Sequence, residues 1–200
     1  MRIEEKVYIS PTDTILDIKW DDPDKLITIF SNRIYGFYFE PAETLNNEGH
    51  AFAAGLICLS LIDLFSNLDS RNGSNNKVGF NFKYWLRTNI QDFDEPDPNT
   101  IYHNLAHRFY KEFRNSLIHE CRIRNAGQFS YDYDVLIHFI RNSGRYIMIV
   151  NPKLLLNHLK EAFDDYLTIV TENETEFLKF KRMMQRNFNI DFECAEEGIE

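Results

Sequence analysis

The stretch Ala51 to Phe65 constrains this chain more than any other. Fifteen residues run with Ser60 and Asp63 as the polar interruptions, and Phe52, Leu56, Leu59, Ile62 and Phe65 recur three or four apart. That spacing returns apolar groups to one side of a helix. The residues between them are apolar as well, so a helix here is hydrophobic nearly all round and belongs at the centre of a core. The stretch is shorter and more polar than the roughly 20 apolar residues that cross a bilayer, so we expect no membrane span. The helix is expected over about Leu45 to Leu68, with Gly55 allowing close packing of a neighbour.

A core helix needs partners, and the rest of the chain offers them. Two hundred residues at 44% apolar composition suffice for one domain with a sizeable core, and eight glycines and six prolines exclude a low-complexity chain. Residues 1–21 read as irregular or as a short strand. Asp22-Pro23 is a helix-start signal, continued by Leu26, Ile29, Phe30, Ile34 and Phe37, with an end near Phe39 before Pro41. A polar loop over 69–79 precedes a helix over about Phe80 to Ile90, which the acidic loop Asp92 to Pro98 ends; that loop can equally act as a lid. A further helix is expected from Asn99-Thr100, with Thr100 as cap, to about Cys121, burying Ile101, Leu105, Phe109, Phe113 and Leu117 at strict four-residue steps.

The runs Val135 to Ile140 and Tyr146 to Val150 are β-branched or aromatic and flank Arg141-Asn142-Ser143-Gly144, which predicts a β-hairpin. Asn151-Pro152 opens a helix through Leu155, Leu159, Phe163 and Leu167, and a last helix over about Glu174 to Asn187 precedes an acidic tail. The expected fold is mainly α: a single domain over 1–200, built as a bundle of five to six helices with one β-hairpin.

Cys58, Cys121 and Cys194 form no Cys-x-x-Cys pair and read as reduced, with Cys58 and Cys121 as buried small hydrophobes. The first residues lack the basic-then-apolar run of a signal peptide, which predicts a cytoplasmic protein. A net charge of −9 argues against a non-specific nucleic-acid binder. One segment departs from the average: Ile101 to Asn125 carries +3 and three of the six histidines, against −12 for the remainder. His107, Arg108, Lys111, Arg122 and Arg124 are therefore the candidate anion-contacting, RNA-binding residues. His103 and His107 lie four apart and can form half of a metal site, but no further ligands are evident, so no metal and no cofactor are expected.

Within the basic segment lies Arg114-Asn115-Ser116-Leu117-Ile118-His119. On a helix, Asn115 and His119 share a face, while Arg114 and His119 sit about 140° apart with a rise of roughly 7.5 Å. The three side chains suit cleavage of RNA by its own 2′-hydroxyl. An imidazole titrating near about 6.5 moves protons at neutral pH, and a guanidinium stabilises charge growing on phosphorus. Asp63 in the apolar helix can support such a site or be an ordinary buried polar residue. Tyr102, Tyr110, Tyr131 and Tyr133 can stack on unpaired bases, and Lys179, Lys181, Arg182 and Arg186 read as a solvated helix face.

The motif resembles that of the HEPN superfamily (higher eukaryotes and prokaryotes nucleotide-binding), an Arg, a polar residue, several residues and a His, over a region of about 44–170. The resemblance implies a compact helical bundle and a metal-independent endoribonuclease, toxin or defence effector, with two motif copies paired across a homodimer. It implies Arg114 as phosphate and transition-state ligand, His119 as acid/base and Asn115 as the orienting group, with an antitoxin protein as a further partner. The alternative is a non-catalytic RNA- or nucleotide-binding or dimerisation module of the same fold.

Overall fold

A computed structural model of the chain describes residues 2–3, 6–68 and 78–197. The element order is β1 (Arg2–Ile3), β2 (Lys6–Val7), α1 (Pro23–Ile34), α2 (Glu40–Asn47), α3 (Ala51–Leu68), α4 (Val78–Asn89), α5 (Leu105–Phe109), α6 (Asn115–Glu120), β3 (Gln128–Phe129), β4 (Ile137–Asn142), β5 (Arg145–Val150), α7 (Pro152–Glu172) and α8 (Glu174–Glu197). A π turn, Tyr35–Phe39, joins α1 to α2, and another, Tyr110–Arg114, joins α5 to α6. With each joined pair counted once, the described residues form six helices, and the fold is mainly α. The chain divides into two compact units, 1–41 with 163–200, and 42–162.

In the first unit, the Asp22 carboxylate accepts the Lys25 N–H at 3.0 Å, and Pro23 occupies the first turn of α1. The helix does not stop before Pro41; it continues as α2. A proline removes one backbone donor and its ring crowds the carbonyl four residues back. The π turn just ahead, in which the Glu40 N–H reaches the Tyr35 carbonyl, widens the backbone where that crowding falls. Phe163 packs against Phe30, Tyr35 and Phe39 with ring centroids 5.9, 5.9 and 5.7 Å away, and Phe180 meets Phe30 at 5.3 Å. The acidic tail expected after Asn187 is helical to Glu197, and its Phe192 meets Trp20 edge-on at 6.0 Å. Lys179 and Lys181 are paired with Glu176 and Asp21.

In the second unit, the helix expected over Leu45 to Leu68 is broken at 48–50, where Gly49 takes φ 82° and α3 starts afresh. Ala54, Cys58, Leu59, Leu61, Ile62 and Phe65 of α3 are buried. Phe52 and Leu56, expected in the core, are instead 47% and 36% exposed. A helix that is apolar on every side carries no polar face to mark the solvent side. The small residues decide it: a Cβ on Gly55 would lie 2.3 Å from the Phe129 ring, so the neighbour closes in on that face. By length and composition alone α3 is apolar enough to cross a membrane, and eight of its eighteen residues are buried in this fold. The loop expected over 69–79 lies outside the described residues up to 77; Val78 and Gly79 already belong to α4.

Strands β4 and β5 pair antiparallel with Asn142 opposite Arg145, so Arg141 and Asn142 extend the strand rather than the turn. Ser143 and Gly144, at φ 48° and 79°, make the two-residue connection that matches strand twist. β3 adds to β5 in parallel, giving the order β3-β5-β4. The Asn151 side chain accepts the Lys153 and Leu154 N–H groups at 3.0 and 3.2 Å and caps α7. Burial pushes the Cys58 thiol far above its ordinary pKa. Cys121, expected to be buried, is exposed, because it leaves α6 in the left-handed conformation at φ 55°.

Candidate active site on the motif helix

The motif helix starts later than the sequence predicts. Asn104, not Thr100, is the cap: its side chain accepts the His107 N–H at 3.0 Å. The preceding residues are drawn out of the helix by one carboxylate. Asp97 Oδ2 accepts the N–H groups of Ile101 and Tyr102, both at 3.1 Å, and Oδ1 accepts that of Asn99 at 3.2 Å. Ile101 is left 57% exposed, outside the buried stripe. Asp97 itself is buried, which makes the acidic segment part of the packed structure at this point and not a free lid.

Leu105, Phe109, Phe113 and Leu117 are all buried. Steps of four residues overshoot a regular helix by about 40° each, so a straight α-helix would carry this stripe round to solvent. The π turn Tyr110–Arg114 absorbs the surplus: the Asn115 N–H reaches back to the Tyr110 carbonyl, and the Ser116 hydroxyl donates to the Lys111 carbonyl at 3.0 Å. Arg114 is the last residue of the wide turn, and Asn115 to His119 form the regular turn after it.

Arg114 is anchored to the core helix. Its Nε and Nη2 lie 3.0 and 2.9 Å from Asp63 Oδ2 on α3, and its Nη1 donates to Asn115 Oδ1 at 3.3 Å. The guanidinium also sits over the Tyr110 ring, 5.8 Å from its centroid. The arginine side chain is only 16% exposed. A guanidinium has five N–H groups, so two remain unengaged among the described residues. Asp63 Oδ1 is buried and has no hydrogen-bond partner among the described residues. His119 is exposed at the end of the same helix and makes no hydrogen bond or ion pair among the described residues. Asp63 thus positions the arginine, the role the sequence left open between support and ordinary burial.

The five candidate RNA contacts separate into three groups. Arg108 is fully buried, where an RNA-contacting side chain was expected: its Nη1 pairs with Asp97 and its Nε with Glu112, each at 3.0 Å, and its Nη2 donates to the Tyr146 carbonyl at 2.7 Å. An amphipathic sequence position does not reveal that two carboxylates await it inside. Arg122 and Arg124 are both exposed and both held by Glu120, whose carboxyl is kept below the usual range mainly by the Arg124 hydrogen bond. His107 and Lys111 form the third group, without an ion pair among the described residues. Lys83 of α4 joins them, lying 5.8 Å from the centroid of the same Tyr110 ring that Arg114 contacts. No local pattern points to Lys83; only the packing of α4 on the motif helix brings it there. Of the other tyrosines, Tyr131 donates to Asn46 at 2.9 Å, Tyr133 stacks on His138 at 3.7 Å, and Tyr102 contacts His107 at 5.4 Å.

Burial, reinforced by Lys83, Lys111 and His103, holds the His107 pKa below its ordinary value; burial and then Lys111 do the same to Lys83. A histidine depressed in this way contributes stability at pH values above its unfolded value of about 6.5, and that contribution is lost as pH falls through the lower folded value. A polyanion over the cluster reverses the repulsion. An NMR titration of the His107 ring should therefore give a midpoint below about 6.5 for the free protein, and a higher one if single-stranded RNA covers the cluster; a midpoint unmoved by added RNA would mean that RNA does not contact it.

Among the described residues, no three His, Cys, Asp or Glu side chains come together as a metal-holding group. No family model matches the chain, and neither a curated protein nor a solved structure matches it.

Proposed function

We propose that the protein is a metal-independent endoribonuclease of the HEPN type, acting in the cytoplasm as a toxin or defence effector. The observation that carries the reading is an arginine tied down by Asp63 and Asn115, five residues before an exposed histidine that has no side-chain partner among the described residues. In the reaction, His119 takes the proton of a ribose 2′-hydroxyl and the freed oxygen attacks the adjacent phosphorus. Arg114 stabilises the charge on the non-bridging oxygens, and the 5′-oxygen leaves with a proton, producing a 2′,3′-cyclic phosphate end. A homodimer supplies two imidazoles, one to take a proton and one to give it. The solvent face of α3, with Phe52 and Leu56 in line with Asp63, supports self-association of this kind. Lys83, His107 and Lys111 extend the site along the RNA backbone, and an antitoxin protein is the natural control of such an activity.

One observation favours the rival reading, a non-catalytic RNA-binding or dimerisation module: Asp63 neutralises much of the Arg114 charge. Incubating purified protein with labelled RNA in excess chelator separates the two. Cyclic-phosphate ends are the expected result, and intact RNA across a broad substrate panel would transfer the weight to the binding module.

A further inference from the structure

Tyr110 stands where the wide turn, α4 and the motif arginine meet. It is the first residue of that turn, and its carbonyl accepts the Asn115 N–H that closes it. Its ring centroid lies 5.8 Å from the Arg114 guanidinium carbon and 5.8 Å from Lys83 Nζ, and Phe82 of α4 packs against it with centroids 5.4 Å apart. The hydroxyl end of the ring is met by the first turn of α4. A Cβ on Gly79 would stand 2.6 Å from both Cζ and the hydroxyl oxygen and 2.8 Å from Cε1, so the backbone of α4 closes on the tyrosine where a side chain has no room. The hydroxyl makes no hydrogen bond among the described residues, so the ring itself carries these contacts.

The other restraints on Arg114 leave one freedom that this ring removes. Asp63 holds Nε and Nη2, and Asn115 accepts from Nη1. The N–H bonds of a guanidinium lie in its own plane, so these partners fix the group within that plane. Both Asp63 contacts converge on the single oxygen Oδ2, which leaves a pivot about which the plane can rock. A ring beside the guanidinium carbon blocks that rocking by contact, and its electron-rich face attracts the cation. The restraint matters because reacting groups tolerate little error: a misplacement of about 1 Å can cost about a hundredfold in rate.

We propose that Tyr110 is a positioning residue of the motif: docked by α4 at Gly79, its ring holds the Arg114 guanidinium in the orientation that meets a phosphate. The consequence for the rate rests on the ribonuclease reading, and the hold on the guanidinium does not. The sequence offers the same tyrosine as a base-stacking group. Its ring is half-buried beside Gly79, Phe82 and two cations, which favours the internal role.

Three variants of the full chain test this. Tyr110→Phe keeps the ring, Tyr110→Leu removes it, and Gly79→Ala keeps it but pushes it aside, in a helix that alanine favours. The first readout is the NMR order parameter of the Arg114 Nε–H bond, its signal assigned by its absence from Arg114→Lys. It should stand near about 0.85 in wild type and Tyr110→Phe and fall below about 0.6 in Tyr110→Leu and Gly79→Ala. The second readout is cleavage of labelled RNA in excess chelator. There kcat should fall about tenfold to a hundredfold in Tyr110→Leu and Gly79→Ala, with KM within about threefold of wild type, and Tyr110→Phe should stay within about threefold in both. Melting curves accompany each protein, and if Tyr110→Leu does not fold, Gly79→Ala carries the test. An order parameter alike in wild type and Gly79→Ala, or one lowered as far by Tyr110→Phe as by Tyr110→Leu, overturns the proposal. Cleavage by wild type with order parameters alike in all four proteins refutes the hold and spares the motif. A wild type that cleaves no RNA while the order parameters separate as expected does the reverse.

Discussion

RNA cleavage by His119→Ala is expected to fall by a factor of about 10² to 10⁴, the usual contribution of one positioned acid or base, while the melting temperature stays where it is. The second half of that expectation follows from the surroundings of the residue. His119 is exposed and unpartnered among the described residues, so its removal opens no cavity and strands no buried group. A lost activity then reports chemistry and not unfolding. Arg114→Ala is a poorer probe, because it also deprives Asp63, already carrying one buried oxygen without a partner among the described residues, of its cation. Rates measured on labelled RNA in excess chelator, with thermal melts of both proteins, decide the matter; a His119→Ala protein that cuts as fast as wild type removes the proposed site.

Arg108→Met should act in the opposite sense, on the fold first. The arginine is enclosed with Asp97 and Glu112, and all three side chains are essentially inaccessible to solvent. Removing the only cation of such a group leaves two buried carboxylates facing each other, a loss of about 3–5 kcal/mol. Urea unfolding monitored by circular dichroism reads this directly as a lower midpoint. Adding Glu112→Met should restore part of the loss, since one uncompensated charge goes with it, although Asp97 still has to hold three backbone N–H groups. A midpoint equal to wild type in the single variant contradicts the structural role assigned to Arg108.

The same residues explain where the sequence could be read and where it could not. Asp22-Pro23 and Asn151-Pro152 are local signals, complete within four residues, and both helices start where those signals stand. The strict four-residue stripe Leu105, Phe109, Phe113, Leu117 was equally local, and its departure from the helical period is the written trace of the π turn. The late start at Asn104 was hidden because the carboxylate that unwinds residues 99–102 is neutralised by an arginine eleven positions further on. Asp63 and Arg114 stand 51 positions apart, and Lys83 reaches Tyr110 from another helix, so neither contact has a signature in either segment alone. The all-round apolar character of α3 announces a core helix but not which face is covered, and nothing in the spacing of Phe52 and Leu56 marks them as the exposed side.

The π turn also changes what an insertion or deletion does to this gene product. A π turn is a helix carrying one extra residue, so losing any one codon between Tyr110 and Phe113 can be absorbed by closing the wide turn into a regular one. The chain would still be helical and every letter from Arg114 to His119 would survive. All that follows would keep its phase against Leu105 and Phe109, because the stripe would then step by four, three and four, the regular helical pattern; one residue inserted there, with no second wide turn to absorb it, would instead swing the motif by about 100°, carrying Arg114 off Asp63 and Leu117 out of the core. A comparison of letters would score the deletion and the insertion alike, although only the insertion loses the phase between the half of the helix that is anchored and the half that carries the motif.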